Sequence, residues 1–259
     1  MAAEIYSKYA PKCVMITGAT GGFGTAFAER FAAAGCKLIL HGRSTQKLDE
    51  LSKKLDVPVY PLVFDLKDKQ ETSKQIQAIP EEFQNIDLLI NNAGGALGLD
   101  KAHEADLEDW EDMIVINNTS LIRITRLILS GMAERKKGHV INIGSTAGNY
   151  VYPGANVYGA VKAFVKQFSL NIRADLVGTN VRVTNIEPGI VETPFSLTRF
   201  KGDQKKADEV YAGTVPLTAE DIAESVFWAA TLPEHVNINR LEVMPTKQTN
   251  GPFNVERNG

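Results

Sequence analysis

A phenol and an ammonium one helical turn apart can act on the same small molecule. In "NVYGAVKAF", Asn156 to Phe164, Tyr158 and Lys162 stand four residues apart among small and apolar neighbours. On a helix that spacing stacks the two side chains on one face, in one local environment. The pair also has an ordinary reading, a lysine snorkelling past a tyrosine at the edge of the core. Its meaning depends on the rest of the chain.

A second group of residues suits an anion. "TGATGGFG" places Gly18, Gly22 and Gly24 around Phe23 in a G-x-x-x-G-x-G spacing, directly after an apolar strand and at the start of an Ala-rich helix. Glycines there let the backbone turn tightly and let a pyrophosphate approach the helix N-terminus, where free N–H groups and the dipole favour negative charge. No Gly-Lys-Ser/Thr follows, so this is not a Walker-type loop. A dinucleotide is the ligand that fits. The next strand ends in "LHGRS", where an acid would bind the ribose 2′-hydroxyl of NAD and an arginine suits the 2′-phosphate of NADP. Gly42 and Arg43 occupy that place. The fork-shaped cation favours NADP, with NAD the less favoured cofactor.

The elements that must position these groups alternate. Short β-branched runs, "KCVMIT", "KLILH", "VYPLVF", "DLLIN", "GHVINIG", "VRVTNIE" and "NRLEVM", read as seven strands. Helical stretches lie between them, at roughly 45–55, 69–79, 106–135, 157–176 and 218–231, after the one that Gly35 ends. The pattern predicts an α/β fold, a Rossmann-type doubly wound parallel sheet in one domain over residues 1–259, with its ligand site beyond the carboxyl ends of the strands. The weakly periodic segment around 190–216 reads as a substrate lid. The tail, 245–259, has no core of its own and is expected to pack across a neighbouring subunit.

Composition narrows the function. The chain has 259 residues, 44% of them hydrophobic, and a formal net charge of -3, which fits one large domain and offers no basic field for nucleic acid. The N-terminus lacks the apolar stretch of a signal peptide, and no apolar run approaches the roughly 18 residues of a membrane span. A cytoplasmic protein with no membrane partner is expected. Cys13 and Cys36 have no metal-like spacing and read as buried thiols, so no metal is expected. Asn117-Asn118-Thr119 matches a glycosylation acceptor only formally, because it lies in a long apolar helix.

Taken together, the glycine turn, "NNAG" at Asn91 to Gly94, Ser145 after the fifth strand and "YGAVK" resemble the short-chain dehydrogenase/reductase family, over nearly the whole chain. "NNAGGALG", "INIGSTAG", "RFKGD" and "NINRLEVMP" look like its NADP-dependent serine/3-hydroxy acid dehydrogenase branch, with much of the pattern shared by sulfoacetaldehyde reductases. The resemblance implies that Tyr158 is the general acid in reduction and the base in oxidation. A phenol of pKa about 10 then needs a cation beside it. Lys162 is expected to supply that charge and to hold the nicotinamide ribose. Ser145 would donate to the substrate carbonyl oxygen. Asn117, rather than Asn118, would hold a water that extends the proton relay. Gly18, Gly22, Phe23 and Gly24 would cradle the cofactor, Asp65 would accept from the adenine amino group, and Asn91 and Gly94 would pass backbone along the adenosine. Pro188, Gly189, Ile190 and Thr193 would hold the nicotinamide carboxamide. Three positions depart from the family's pattern: Val161 and Ser120, where Ser/Thr and Gly are usual, and Ser44, where close relatives often carry a second Arg.

The lid brings Arg199 in "SLTRFKGD" toward the pocket, and Tyr152 precedes Tyr158. A guanidinium suits a small carboxylate or sulfonate, although Arg199 reads equally as a solvated charge balancing Asp203 and Glu209. The expected reaction is hydride transfer between NADP(H) and a short 3-hydroxy acid such as serine or 3-hydroxypropionate. Sulfoacetaldehyde reduction is the alternative, and a non-catalytic NADP(H) sensor or scaffold the alternative of another class. The long helices around Asn117 and Tyr158 are apolar over more than one face, and the resemblance implies a homotetramer.

Overall fold

A computed structural model describes residues 8–249 and 255–257. Seven parallel strands, β1 (Cys13–Ile16), β2 (Lys37–Gly42), β3 (Val59–Val63), β4 (Leu88–Asn91), β5 (Gly138–Ile143), β6 (Val181–Pro188) and β7 (Arg240–Val243), form one sheet in the order β3-β2-β1-β4-β5-β6-β7. The order reverses between β1 and β4, which opens a crevice at the carboxyl ends of those strands. The continuous apolar runs follow from burial on both faces. Val14, Ile16, Leu38 and Leu40 face one layer with Phe27 and Phe31, while Met15, Ile39, Leu89 and Val140 face the other with Ile128 and Met132. Phe27 and Phe31 are wholly buried, each stabilising the fold by about 1.5–3 kcal/mol.

The helices are α1 (Gly22–Ala32), α2 (Thr45–Ser52), α3 (Lys69–Gln77), α4 (Glu81–Gln84), α5 (Leu107–Ile114), α6 (Ser120–Glu134), α7 (Asn156–Asp175), α8 (Phe195–Arg199), α9 (Gln204–Tyr211) and α10 (Ala219–Ala230). Side chains fix several of their starts. Asp68 accepts from the N–H groups of Gln70 and Glu71 at 2.9 Å each, and Thr218 and Asp221 form a reciprocal capping box. The segment around 190–216, expected as a lid, contains α8 and α9.

One expected element differs. The helix read at 106–135 is not continuous, because Val115–Thr119 forms a π-helical turn between α5 and α6. Asn117 Nδ2 donates to the Met113 carbonyl at 2.9 Å, the acceptor that regular α winding would give to the backbone N–H of Asn117. The side chain thus competes with its own backbone and widens the turn.

A buried polar chain ties the helices to the sheet. Asn91 Nδ2 donates to Thr125 Oγ1 and Asn142 Oδ1, and Asn142 Nδ2 donates to Ser169 Oγ, all at 2.8 Å. It fixes α6 and α7 against β4 and β5. Among the described residues no helix is long and apolar enough to cross a membrane.

Candidate active site

A cavity of about 530 Å³ lies over the carboxyl ends of the strands. At one end is the turn between β1 and α1. Gly18 has φ +64°, and Gly24 meets the chain so closely that a Cβ on it would lie 2.2 Å from the Gly18 carbonyl oxygen. No side chain caps α1, whose N-cap is Gly21, and Gly21, Gly22 and Phe23 line the cavity. The free N–H groups of that terminus therefore border an open space. Arg43 and Lys47 line the same end. An uncapped helix start, a glycine cradle and two cations fit a phosphate-bearing dinucleotide. Asp65 lines this end as expected, its Oδ1 accepting from the Lys67 N–H at 2.9 Å.

Two residues that the sequence reading passed over hold the turn. Asn92 Nδ2 donates to the carbonyls of Thr17 and Gly18, at 2.9 and 3.1 Å. His41 Nδ1 accepts from the Gly18 N–H at 3.3 Å, leaving Nε2 to donate to the Phe64 carbonyl at 3.1 Å. Burial pushes His41 down to about 4, so it stays neutral in that tautomer at physiological pH. Asn91, by contrast, turns its side chain into the polar chain described above and does not line the cavity. Gly94 lines it, close to Asn117 and Lys162.

At the other end Ser145, Tyr158, Lys162 and Asn117 come together. Ser145 follows β5, and α7 presents Tyr158 and Lys162 on successive turns, with Lys162 Nζ donating to the Ile143 carbonyl at 3.0 Å. Asn117 Oδ1 accepts from the Gly95 N–H at 3.2 Å, and Nδ2 donates to the Gly95 carbonyl at 2.9 Å. Asn118 points away, donating to the Val161 carbonyl of α7 at 3.2 Å. The π turn separates the two asparagines and puts Asn117 alone at the cavity.

The electrostatics differ from the expectation that Lys162 makes Tyr158 acidic. Burial dominates, pushing Tyr158 up to about 12, and the groups that pull it back are a hydrogen bond with Ser145 and the charge of Arg199. Burial also pushes Lys162 down to about 8, and its Nζ lies 5.8 Å from the Tyr158 ring centre. Of the two groups that pull the phenol back, the Arg199 charge is the smaller, and Lys162 is not among them.

Arg199 is buried, only 8% exposed. Its guanidinium lies 5.4 Å from the Tyr158 ring centre and 5.8 Å from that of Tyr152, with Nε on the Gly98 carbonyl at 3.1 Å and one terminal nitrogen donating to Tyr152 Oη at 3.2 Å. Among the described residues no carboxylate pairs with it, so it is not the solvated charge balancing Asp203 and Glu209. Arg199 and Tyr152 flank Tyr158 beside the cavity rather than lining its main volume.

One expectation about the turn after β6 is corrected. Pro188, Gly189 and Thr193 line the cavity, but Ile190 does not, and Val191 takes its place. The Ile190 N–H donates to Gln248 Oε1 at 2.8 Å and its carbonyl accepts from the Leu217 N–H at 3.0 Å, so both of its backbone groups are committed elsewhere. The described part of the tail packs on its own chain: Gln248 on Ile190, and Arg257 on the Val210 and Ala212 carbonyls. Residues 250–254, 258 and 259 of that tail lie outside the described residues. No group of three His, Cys, Asp or Glu among the described residues could hold a metal ion.

Comparison with known proteins places this geometry. The family model described as short chain dehydrogenase matches residues 12–204. An NADP-dependent 3-hydroxy acid dehydrogenase, YdfG, of Escherichia coli strain K12 is 53% identical over 245 residues, 94% of this chain and 99% of its own. A sulfoacetaldehyde reductase of Chromohalobacter salexigens is 50% identical over 247 residues, 94% of this chain and 98% of its own. The closed form of a serine dehydrogenase complexed with NADP+ superposes with a TM-score of 0.91 at 52% identity, covering 95% of this chain and all of that one.

Proposed function

Because the chain belongs to the short-chain dehydrogenase family and is an NADP-dependent oxidoreductase acting on CH–OH groups, we propose that its substrate is a short 3-hydroxy acid, such as serine or 3-hydroxypropionate, interconverted with the semialdehyde. The observation that carries this reading is Arg199, a buried guanidinium without a carboxylate partner among the described residues, stacked beside Tyr158. A charge kept out of water needs a counter-ion, and a carboxylate two carbons from the reacting centre supplies one while orienting the substrate.

NADP(H) accepts or supplies the hydride at its nicotinamide ring. The residues of the chain do the rest. The α1 terminus with Gly18, Gly22, Phe23 and Gly24 binds the pyrophosphate, Arg43 takes the 2′-phosphate, Asp65 and the backbone at Asn92–Gly94 flank the adenosine, and Pro188, Gly189, Val191 and Thr193 flank the carboxamide. Ser145 donates to the substrate oxygen and Tyr158 exchanges a proton with it. Lys162 holds the nicotinamide ribose, and Asn117 positions a water that relays the proton outward. Tyr152 keeps Arg199 in place. The segment 190–216 closes over the substrate through Thr193, Pro194, Phe195 and Thr198, which already line the cavity. Exposed Ile114, Ile122 and Phe164 on α5, α6 and α7 support assembly as a homotetramer through these helices.

Steady-state assays of the reduced nicotinamide, with serine, 3-hydroxypropionate, isethionate and the matching aldehydes, test the substrate. A sulfonate preference would favour sulfoacetaldehyde reduction, which the same guanidinium also suits. Arg199→Ala is expected to lower kcat/KM for the anionic substrates by about a hundredfold, with little change for an uncharged aldehyde of similar size. An equal loss on both would show that Arg199 does not grip the anion. Arg43→Ala is expected to cut the preference for NADP over NAD by about a hundredfold, read as the ratio of kcat/KM values. An unchanged ratio would remove Arg43 from phosphate recognition.

A further inference from the structure

The C-terminal segment reaches the cofactor end of the crevice from behind. Gln248 is only 7% exposed although it lies beyond the last strand in a polar stretch. Its backbone N–H donates to the Pro245 carbonyl at 2.9 Å, a turn that carries the side chain back over Pro188–Ile190. There Oε1 accepts from the Ile190 N–H at 2.8 Å. The fit is close: a Cβ on Gly189 would lie 2.3 Å from that oxygen and 3.1 Å from the Met244 side chain.

The other contacts of this turn come from the sheet and from the segment before α10. The Gly189 N–H donates to the Val243 carbonyl at 2.8 Å and the Leu217 N–H to the Ile190 carbonyl at 3.0 Å. Val191, the next residue, borders the crevice, and its carbonyl accepts from Tyr211 Oη at 3.1 Å. Among the described residues, only the Ile190 N–H depends on a side chain from beyond the last strand. A partly buried backbone donor still needs an acceptor, so loss of that side chain leaves the turn to rotate or to admit water.

We propose that Gln248 is a positioning residue that locks the Pro188–Ile190 turn and so presents Val191 and Thr193 to the nicotinamide half of NADP(H). This rests on the reading of the crevice as the NADP(H) site. Gln248 lies outside the cavity lining and acts through Ile190, by fixing before binding a turn that the ligand would otherwise have to order.

Calorimetric titration of the full chain with NADP+ and with 2′,5′-ADP, which carries the adenosine and phosphates without the nicotinamide, tests it. Gln248→Ala is expected to weaken NADP+ about tenfold while leaving 2′,5′-ADP within about twofold. Gln248→Met, which keeps the bulk and removes both polar atoms, is expected to do the same and serves if the alanine variant does not fold. Arg43→Ala is expected to weaken both ligands. Unchanged NADP+ affinity in the Gln248 variants, or parallel loss of both ligands, overturns the proposal. If the parent protein bound neither ligand, the cofactor reading itself would fall, a result distinct from either.

Discussion

Tyr158→Phe lowers kcat in both directions by about a thousandfold, because general acid–base catalysis contributes on the order of 10²–10⁴ and the phenol oxygen is the atom of the proposed site that exchanges the proton. The substitution removes one atom from a buried ring packed on Phe195, so the melting temperature and NADP+ affinity are expected to stay close to those of the parent. The pH profile separates this role from a structural one. With burial pushing Tyr158 up to about 12, the phenol is protonated at neutral pH and ready to act as the acid in reduction. Oxidation needs phenolate, whose fraction grows as pH rises, so the oxidative kcat/KM climbs from neutral toward alkaline pH and the climb disappears in Tyr158→Phe. A variant retaining more than a tenth or so of the parent kcat would end the assignment.

The second large effect comes from one added methyl group. In Gly24→Ala the new Cβ would sit 2.2 Å from the Gly18 carbonyl oxygen and 2.7 Å from the Ala19 Cα. Both are backbone atoms, which cannot swing aside as a flexible side chain can. Overpacking of this kind costs about 1–3 kcal/mol of stability. The larger loss falls on binding, because α1 must withdraw from the turn whose N–H groups are proposed to receive the pyrophosphate, and NADP+ affinity is expected to drop by about a hundredfold or more. Calorimetry reads the affinity and thermal denaturation the stability. NADP+ binding at the parent's strength would show that the close approach of Gly24 has no part in the cradle.

Much of this was legible in the sequence. The strands announced themselves because residues such as Val14 to Ile16 are buried on both faces and must all be apolar. The glycine turn was legible because a Cβ on Gly24 would lie 2.2 Å from the Gly18 carbonyl oxygen, so that no side chain fits there, and Tyr158 and Lys162 because helical spacing is regular. What stayed hidden were features set by competition or by distant chain. The π turn depends on whether the Asn117 amide or a backbone N–H captures the Met113 carbonyl, which no periodicity records. The assignment of Ile190 in place of Val191 failed because the Ile190 donor is taken by Gln248, 58 residues away. His41 passed unnoticed because a histidine closing an apolar strand reads as core until the Gly18 N–H is found on its Nδ1. The balance between burial and charge at Tyr158 required the packing of Arg199, which enters from a different helix.

The widened turn at Val115–Thr119 also constrains how this chain can vary in length. Each residue of a regular helix rotates its successors by about 100°. Deleting a single amino acid between Met113 and Ser120 would let the winding become regular, with α5 and α6 keeping their faces, and would take Asn117 off Gly95. Insertions and deletions that a surface loop would absorb are therefore barred from this stretch, and related chains are expected to keep its residue count unchanged even where its letters differ.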